Sequence, residues 1–94
     1  MGKSLGQLVV SLRAGRTQAW LAREIGITPP AMCALENGNA RFSDARLAGV
    51  LNALEASPLD RAQAWRMLFE EQGHSAADAE RMARAKVLEG EVAA

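Results

Sequence analysis

The sequence predicts an all-α fold, a compact bundle of about four to six short helices that contains a helix-turn-helix and ends in a C-terminal helical extension. Apolar residues recur at helical spacing along most of the chain, and no run alternates apolar and polar residues as a half-buried strand would. The chain has 94 residues, which suffices for a single core. We therefore expect residues 1–56 and residues 57–94 to share one compact unit.

Residues 4–14 are predicted to form the first helix. Ser4 can cap this helix with its hydroxyl, and Gly15 is expected to end it. Its buried stripe consists of apolar residues that recur on one helical face, namely Leu5, Leu8, Val9 and Leu12. We expect this helix to pack behind the two helices that follow it.

Residues 17–37 are predicted to form two short helices joined by a tight turn, and the rest of the chain is organised around them. Leu21 and Ile25 share a face of the first helix, and Met32 and Leu35 share a face of the second. A single helix cannot place both pairs on one face. The spacing therefore predicts a helix-turn-helix.

The residues around this turn are of the types that end and begin helices. Gly26 can adopt the left-handed conformation that ends a helix, and Thr28 can cap the next one. Pro29 and Pro30 suit a first turn, because backbone N–H groups have no intrahelical partner there. Gly38 suits a second positive φ at the end of the second helix.

A fourth helix is predicted to begin after Ser43, with Asp44 in its first turn, where a negative charge favours the helix dipole. Its apolar residues complete the core of residues 1–56. They are Leu47, Val50, Leu51 and Leu54.

Residues 57–94 are predicted to form the helical extension. Ser57-Pro58 begins a fifth helix, with Asp60 in its first turn, and Gly73 ends it. Ser75 begins a sixth helix, which is expected to fray near residues 89–91. The residues predicted to face inward are Leu59, Ala62, Trp65, Leu68 and Phe69 on the fifth helix, and Ala79, Met82, Ala83 and Val87 on the sixth.

This extension is too rich in apolar residues for a free surface. Part of it should cover the core near Trp20, because an exposed indole is rarely left uncovered, and part should be available to a second copy. Dimerisation through the extension is the preferred interpretation, and packing within one chain is the alternative. The residues assigned to dimerisation or packing are Trp20, Trp65, Leu68, Phe69 and Met82.

At the central motif the sequence resembles the lambda-repressor and Cro-like family of DNA-binding domains, the XRE type, over roughly residues 4–56. The matching signature is Gln18, Leu21-Ala22, Ile25-Gly26-Ile27-Thr28, Met32 and Leu35-Glu36-Asn37-Gly38. The resemblance implies that the second motif helix, about Pro29 to Glu36, lies in the major groove with its N-terminal end toward the bases. It also implies that Gln18 lies against the DNA backbone, where its amide can brace the start of that helix. Helix-turn-helix packing also serves as a plain interaction module, which is the alternative.

The residues predicted to contact DNA are Thr17, Gln18, Thr28, Pro29, Pro30, Cys33, Ala34, Asn37, Asn39 and Arg41. The family's usual base-reading positions hold Pro29, Pro30, Cys33 and Ala34, and these cannot form a bidentate hydrogen-bonded pair with a base. Specificity would then depend on apolar contacts, on DNA shape or on the flanking loop.

Several of these residues also have ordinary structural explanations. Gln18 and Arg41 can be solvated surface residues. Oxidation of the Cys33 thiol near phosphate could act as a redox switch that stops DNA binding, but the alternative is that Cys33 is simply a small residue that fits against the backbone. The backbone N–H groups and amides of Asn37 and Asn39 are expected to face phosphate, together with Arg41. Glu36 is expected to be structural, paired with Arg13 or Arg46.

The charge is balanced but unevenly distributed. Residues 1–56 carry six basic and four acidic side chains, whereas residues 57–94 carry five basic and seven acidic ones, so the first part suits phosphate better. The single cysteine and single histidine provide neither a disulfide nor the spacing of a metal site, and we expect no cofactor. No nucleophile with a base can be assembled, so an enzyme is not expected. We expect a cytoplasmic protein without a membrane span.

Three functions remain open from the sequence. The first is a homodimeric transcriptional repressor, of the kind that phages and mobile elements use, which binds a palindromic operator in double-stranded DNA. The second is a protein-binding helical module such as an anti-activator, which zero net charge and the apolar recognition helix favour. The third is the antitoxin of a toxin–antitoxin pair, in which the motif binds DNA and the extension binds the toxin.

Overall fold

The computed structural model describes the backbone of residues 4–93 and the side chains of residues 4–90. Lys3, which was counted among the basic residues, lies outside this range. The described range contains six helices and no strand, which confirms the predicted all-α class. They are α1 (Leu5–Arg13), α2 (Gln18–Ile25), α3 (Pro29–Asn37), α4 (Asp44–Ala53), α5 (Pro58–Glu71) and α6 (Ala76–Ala93). Among these described helices, none combines the length and the apolar character that a membrane span requires.

Two compact units make up the chain, Met1–Ala56 with α1 to α4 and Ser57–Ala94 with α5 and α6. In the first unit α3 packs against both α1 and α2, and α4 packs against α2. In the second unit α5 and α6 pack against each other. The prediction that residues 1–56 and 57–94 share one compact unit stays a prediction.

Hydroxyl side chains determine where the helices begin. In each case the hydroxyl oxygen accepts a hydrogen bond from the backbone N–H three residues further on, at 3.0–3.3 Å. All of these helix starts were predicted from the sequence, and the capping residues are Ser4, Thr17, Thr28, Ser43, Ser57 and Ser75.

The helix ends agree with the predictions except in α1 and α6. The three glycines that were predicted to end helices all have positive φ, 75° at Gly26, 81° at Gly38 and 99° at Gly73. After α1 the positive φ of 52° belongs to Ala14 rather than to Gly15, because the chain turns one residue earlier than expected. The backbone of α6 continues as a helix through Gly90 to Ala93, past the residues that were predicted to fray, and the fraying itself stays a prediction.

The core of the first unit is built from apolar residues of all four helices. Phe42 was not predicted to belong to it, yet it is buried directly before the cap Ser43. Phe42 and the buried Leu47 occupy the two positions of a hydrophobic staple, so this pattern was readable from the sequence. The other buried apolar residues are Leu5, Leu8, Val9, Leu21, Ala22, Met32, Leu35, Val50 and Leu51.

The second unit is a helical hairpin whose buried residues lie on facing sides of α5 and α6. The Trp65 and Phe69 rings stack with centroids 5.8 Å apart. Leu59 was predicted to face inward but is 78% exposed, because it lies about 120° from Trp65 around the helix axis. The buried apolar residues are Ala64, Trp65, Leu68, Phe69, Ala79 and Ala83.

Candidate nucleic-acid interface

A three-residue connection between α2 and α3 fixes the central motif. Gly26 ends α2 in the left-handed conformation, and the N–H of Ile27 donates to the carbonyl of Ala22 at 2.9 Å. This is the arrangement that satisfies carbonyl groups at a helix end. Because Thr28 caps α3 immediately afterwards, α3 begins as soon as the turn is complete.

A buried ionic cluster holds the C-terminal part of α3. The carboxylate of Glu36, whose side chain is 3% exposed, accepts hydrogen bonds from Arg13 Nε at 2.8 Å and from Arg13 Nη2 at 3.0 Å. The amide Nε2 of Gln18 donates to the same carboxylate at 2.8 Å. The cluster joins α1, α2 and α3 and satisfies the buried charge, which confirms that Glu36 pairs with Arg13.

This geometry changes one expectation about Gln18. Its amide was expected to brace the start of α3, but it contacts Glu36, which lies near the end of that helix. The reason is that α2 begins beside the C-terminal end of α3, so a short side chain in the first turn of α2 reaches that end. We therefore assign the Gln18 amide to the ionic cluster, and its contact with DNA stays a prediction.

Gly6 provides a close approach between α1 and α3. A Cβ atom at this position would lie 2.3 Å from the carbonyl oxygen of Glu36 and 2.7 Å from that of Leu35. Both distances are much shorter than a van der Waals contact, so a side chain at residue 6 would push the backbones of α1 and α3 apart. Sequence reasoning missed this role, although a glycine within a helical pattern is a signal of close packing.

The first turn of α3 has no backbone N–H left for a ligand. Pro29 and Pro30 have no N–H, the N–H of Ala31 donates to Thr28 Oγ1 at 3.3 Å, and that of Met32 donates to the Thr28 carbonyl at 3.0 Å. Phosphate groups usually bind at helix starts through such N–H groups. The tip of α3 is therefore an exposed apolar surface rather than an anion site.

Unlike the first turn of α3, the first turn of α2 has backbone N–H groups that a ligand can reach. The N–H of Trp20 donates to Thr17 Oγ1 at 3.0 Å, and the N–H of Leu21 donates to the Thr17 carbonyl at 3.2 Å. The N–H groups of Gln18 and Ala19 precede these bonds and lie at the positive end of the helix dipole. The start of α2 can therefore accept an anionic group.

The outward face of α3 carries no charge. Pro30, Cys33, Ala34 and Asn37 lie at i, i+3, i+4 and i+7, so they form one stripe along the helix. Pro30 and Asn37 are exposed, and Cys33 and Ala34 are half-buried. Asn37 Nδ2 donates to the Cys33 thiol at 3.2 Å, which turns this amide back along the helix.

In the turn after α3, three consecutive backbone N–H groups are used to end the helix. The N–H of Gly38 donates to the Leu35 carbonyl at 3.3 Å, and those of Asn39 and Ala40 donate to the Ala34 carbonyl at 2.9 and 3.1 Å. The expectation that the backbone N–H groups here face phosphate is therefore wrong, since these groups complete the helix end. The side chains of Asn39 and Arg41 remain exposed.

None of the residues predicted to contact DNA is buried. Seven of them are exposed to solvent: Thr17, Thr28, Pro29, Pro30, Asn37, Asn39 and Arg41. Cys33 and Ala34 are half-buried on the outward face of α3, and Gln18 is half-buried against Glu36. Their role in DNA binding stays a prediction.

The residues assigned to dimerisation or packing are mostly interior. Trp65, Leu68 and Phe69 are buried within the single chain, Met82 is half-buried, and the Lys86 ammonium lies 5.1 Å from the centroid of the Trp65 ring. Trp20 is half-buried in the first unit, with the Arg16 guanidinium 4.3 Å from its ring centroid. Packing accounts for the buried aromatics, and the homodimer stays a prediction.

Comparison of the chain with protein-family models, with curated proteins and with solved structures gives no match. The resemblance to XRE-type domains therefore depends on the sequence signature and stays a prediction.

Proposed function

We propose that this chain is a sequence-specific DNA-binding transcriptional regulator of the XRE type, a small cytoplasmic homodimeric repressor. The observation that carries the proposal is the central motif itself. A helix with an exposed, compact tip is joined to its partner helix by a three-residue connection and is held at its other end by the Glu36 cluster. A rigidly held helix with a free N-terminal end suits insertion into the major groove.

In this proposal the two motif helices have different roles. The start of α2 contacts phosphate through the N–H groups of Gln18 and Ala19, which fixes the position of the domain on the duplex. Arg41 adds a basic side chain from the turn after α3. The tip of α3, with Thr28, Pro29 and Pro30, faces the bases.

The side chains on the outward face of α3 favour recognition of DNA through the shape of the duplex and through apolar contacts with the bases. Pro30, Cys33 and Ala34 can contact thymine methyl groups, but they cannot form the bidentate hydrogen bonds that distinguish guanine or adenine most strongly. We therefore expect modest discrimination between sites, with part of it arising from the sequence-dependent shape of the duplex. Two copies would place their α3 helices about 34 Å apart on a palindromic operator.

A salt titration of duplex binding tests this proposal. Because each phosphate contact releases counterions, affinity should fall steeply as the salt concentration rises. Arg41→Ala should weaken binding and lower the slope of log affinity against log salt by about one. Arg81→Ala, which removes an exposed arginine of the second unit, is the matched control and should leave that slope unchanged.

The uncharged face of α3 also favours a second candidate, a protein-binding module such as an anti-activator or an antitoxin. The stripe from Pro30 to Asn37 has the small, weakly polar surface that a protein partner can cover. Weak affinity for every duplex at low salt, combined with no effect of Arg41→Ala, would eliminate the DNA proposal and favour this one.

A further inference from the structure

The tip of α3 has few hydrogen-bonding groups to offer a base pair. Pro29 and Pro30 have no backbone N–H, and the next two N–H groups donate to Thr28, to its Oγ1 at 3.3 Å and to its carbonyl at 3.0 Å. Thr28 Oγ1 thus already accepts one bond, and its hydroxyl hydrogen remains for a single acceptor. One hydroxyl cannot form the paired hydrogen bonds that identify guanine or adenine.

The stripe behind the tip is also poor in polar groups. Pro30 and Ala34 lie one helical turn apart, and their side chains carry no polar atom. The Cys33 thiol accepts a hydrogen bond from Asn37 Nδ2 at 3.2 Å. Pro30 is exposed and Ala34 is half-buried, so both have carbon surface that a partner can contact. This surface can therefore recognise a partner through apolar contact.

The major groove of a duplex offers one apolar group among its base edges, the C5 methyl group of thymine. Guanine, adenine and cytosine present hydrogen-bond donors and acceptors there instead. The base 5-methylcytosine carries the same methyl group at the same ring position as thymine. An apolar surface would therefore meet the same group in both bases, which together form the class of 5-methylpyrimidines.

We propose that Pro30 and Ala34 bind the C5 methyl groups of 5-methylpyrimidines, so that this surface distinguishes thymine from uracil and 5-methylcytosine from cytosine. The inference rests on the proposed function and names the base feature that the same site reads. Pro30 and Ala34 are separated by about 6 Å along the helix axis. Since successive base pairs are about 3.4 Å apart, the two side chains can contact methyl groups on no more than two or three adjacent pairs.

The distribution of charge around α3 fits a duplex. The stripe is uncharged, whereas groups that suit phosphate lie at the start of α2, in the N–H groups of Gln18 and Ala19, and in the turn after α3, in the exposed Arg41. In a duplex the phosphates border the major groove and the methyl groups lie inside it. Charged and apolar contacts are therefore separated in the same way on both partners.

Replacement of thymine by uracil tests the methyl contact. The probe is the duplex that the full chain enriches most from a library randomised over about 20 base pairs, synthesised once with thymine and once with uracil. Uracil keeps every phosphate and every hydrogen-bonding group and lacks the methyl group alone. We expect the affinity to fall about tenfold or more. The slope of log affinity against log salt should stay the same, because the phosphates are unchanged.

Single replacements in this duplex locate the contacted bases. Where uracil in place of one thymine lowers the affinity, 5-methylcytosine at that position should bind several-fold more tightly than cytosine. Thymines at which uracil has no effect are the control, since methylation of a cytosine placed there should leave the affinity unchanged.

Two variants test whether α3 makes the contact. Pro30→Ser combined with Ala34→Ser places hydroxyl groups in the apolar surface, and should reduce the ratio of thymine to uracil affinity to about threefold or less. Pro30→Ala is the matched control, because it also removes the proline ring but leaves a methyl group at both positions, and should keep a ratio of about fivefold or more. Both affinities are measured on the same variant, so a loss of stability cancels from the ratio.

The possible failures of the two proposals can be distinguished. Equal wild-type affinities for the thymine and uracil duplexes, together with a steep salt dependence, would overturn the methyl contact and leave the DNA proposal standing. A wild-type ratio retained by the combined Pro30→Ser and Ala34→Ser variant would also overturn it, because the methyl groups would then meet another surface. A wild type that binds no duplex at low salt would contradict the DNA proposal itself.

Discussion

The two ends of α3 are held in contrasting ways. The C-terminal end is fixed by tertiary contacts: the buried carboxylate of Glu36 is bonded to Arg13 and Gln18, and the backbone of α1 approaches it at Gly6. The first turn at the N-terminal end is held by local contacts, namely the Thr28 cap and the two prolines, and the first tertiary anchor behind it is the buried Met32. The contrast shows how a short helix can be rigid while its tip stays free for a partner. Substitutions at the C-terminal end of α3 should therefore mainly lower the free energy of unfolding, whereas substitutions at its N-terminal tip should mainly change the affinity for a partner.

Gly6→Ala should have the largest effect on stability. The added methyl group would meet backbone atoms of Glu36 and Leu35, which cannot rotate away, so α1 and α3 must separate. We expect the free energy of unfolding to fall by about 3 kcal/mol. Chemical denaturation measures this.

The control for Gly6→Ala is Gly15→Ala, where an added Cβ has no atom within 4 Å. A loss at Gly15 as large as that at Gly6 would show that glycine flexibility, rather than the close approach, is responsible.

Arg13→Ala should have the next largest effect. It leaves the Glu36 carboxylate, 3% exposed in its side chain, with Gln18 as its remaining partner. We expect a loss of about 2–3 kcal/mol in the free energy of unfolding. Arg46→Ala is the control, because Arg46 is exposed on α4 and was the alternative partner of Glu36. Equal losses in the two variants would refute the assigned pairing.

Thr28→Ala should have a smaller effect, because the N-terminal end of α3 depends on a local cap. Loss of the bond from the Ala31 N–H to Thr28 Oγ1 should lower the free energy of unfolding by about 1 kcal/mol. Thr28→Ser keeps a hydroxyl in place, so thermal denaturation should show that it retains most of the stability that Thr28→Ala loses. An alanine variant as stable as the wild type would show that the prolines suffice to start the helix.

The local elements of this structure could be predicted from the sequence, because each depends on residues close together in the chain. The caps at Thr28 and Ser43 and the left-handed glycines at 26 and 38 are of this kind. The Glu36–Arg13 pair was one of two alternatives, since helical spacing does not determine which distant arginine lies nearer.

The errors concern tertiary packing and backbone hydrogen bonds. The clash that requires Gly6 depends on how α1 crosses α3, and the inward face of α5 depends on where α6 lies, so Leu59 was misplaced. In the candidate site, residue types predicted the exposed stripe on α3. They could not show that Asn39 and Ala40 donate their N–H groups to the Ala34 carbonyl, because that depends on the geometry of the turn.

Of the variants considered, Pro30→Glu should have the smallest effect on the free energy of unfolding and the largest effect on the affinity for a DNA duplex. Pro30 is exposed in the first turn of α3, where a negative charge is favourable to the helix, so the free energy of unfolding should change by no more than about 0.5 kcal/mol. The same charge at the tip of α3 would repel a duplex. Ala45→Glu is the matched control, since Ala45 occupies the equivalent first-turn position of α4 and is also exposed.

The affinity of these two variants for a duplex, measured by fluorescence anisotropy at low salt beside the wild type, tests most directly whether the tip of α3 meets DNA. We predict that Pro30→Glu weakens binding by about tenfold or more, while Ala45→Glu stays near the wild-type affinity. Equal affinities of Pro30→Glu and the wild type for a duplex that the wild type binds well would contradict the account, because the helix tip would then lie away from the DNA.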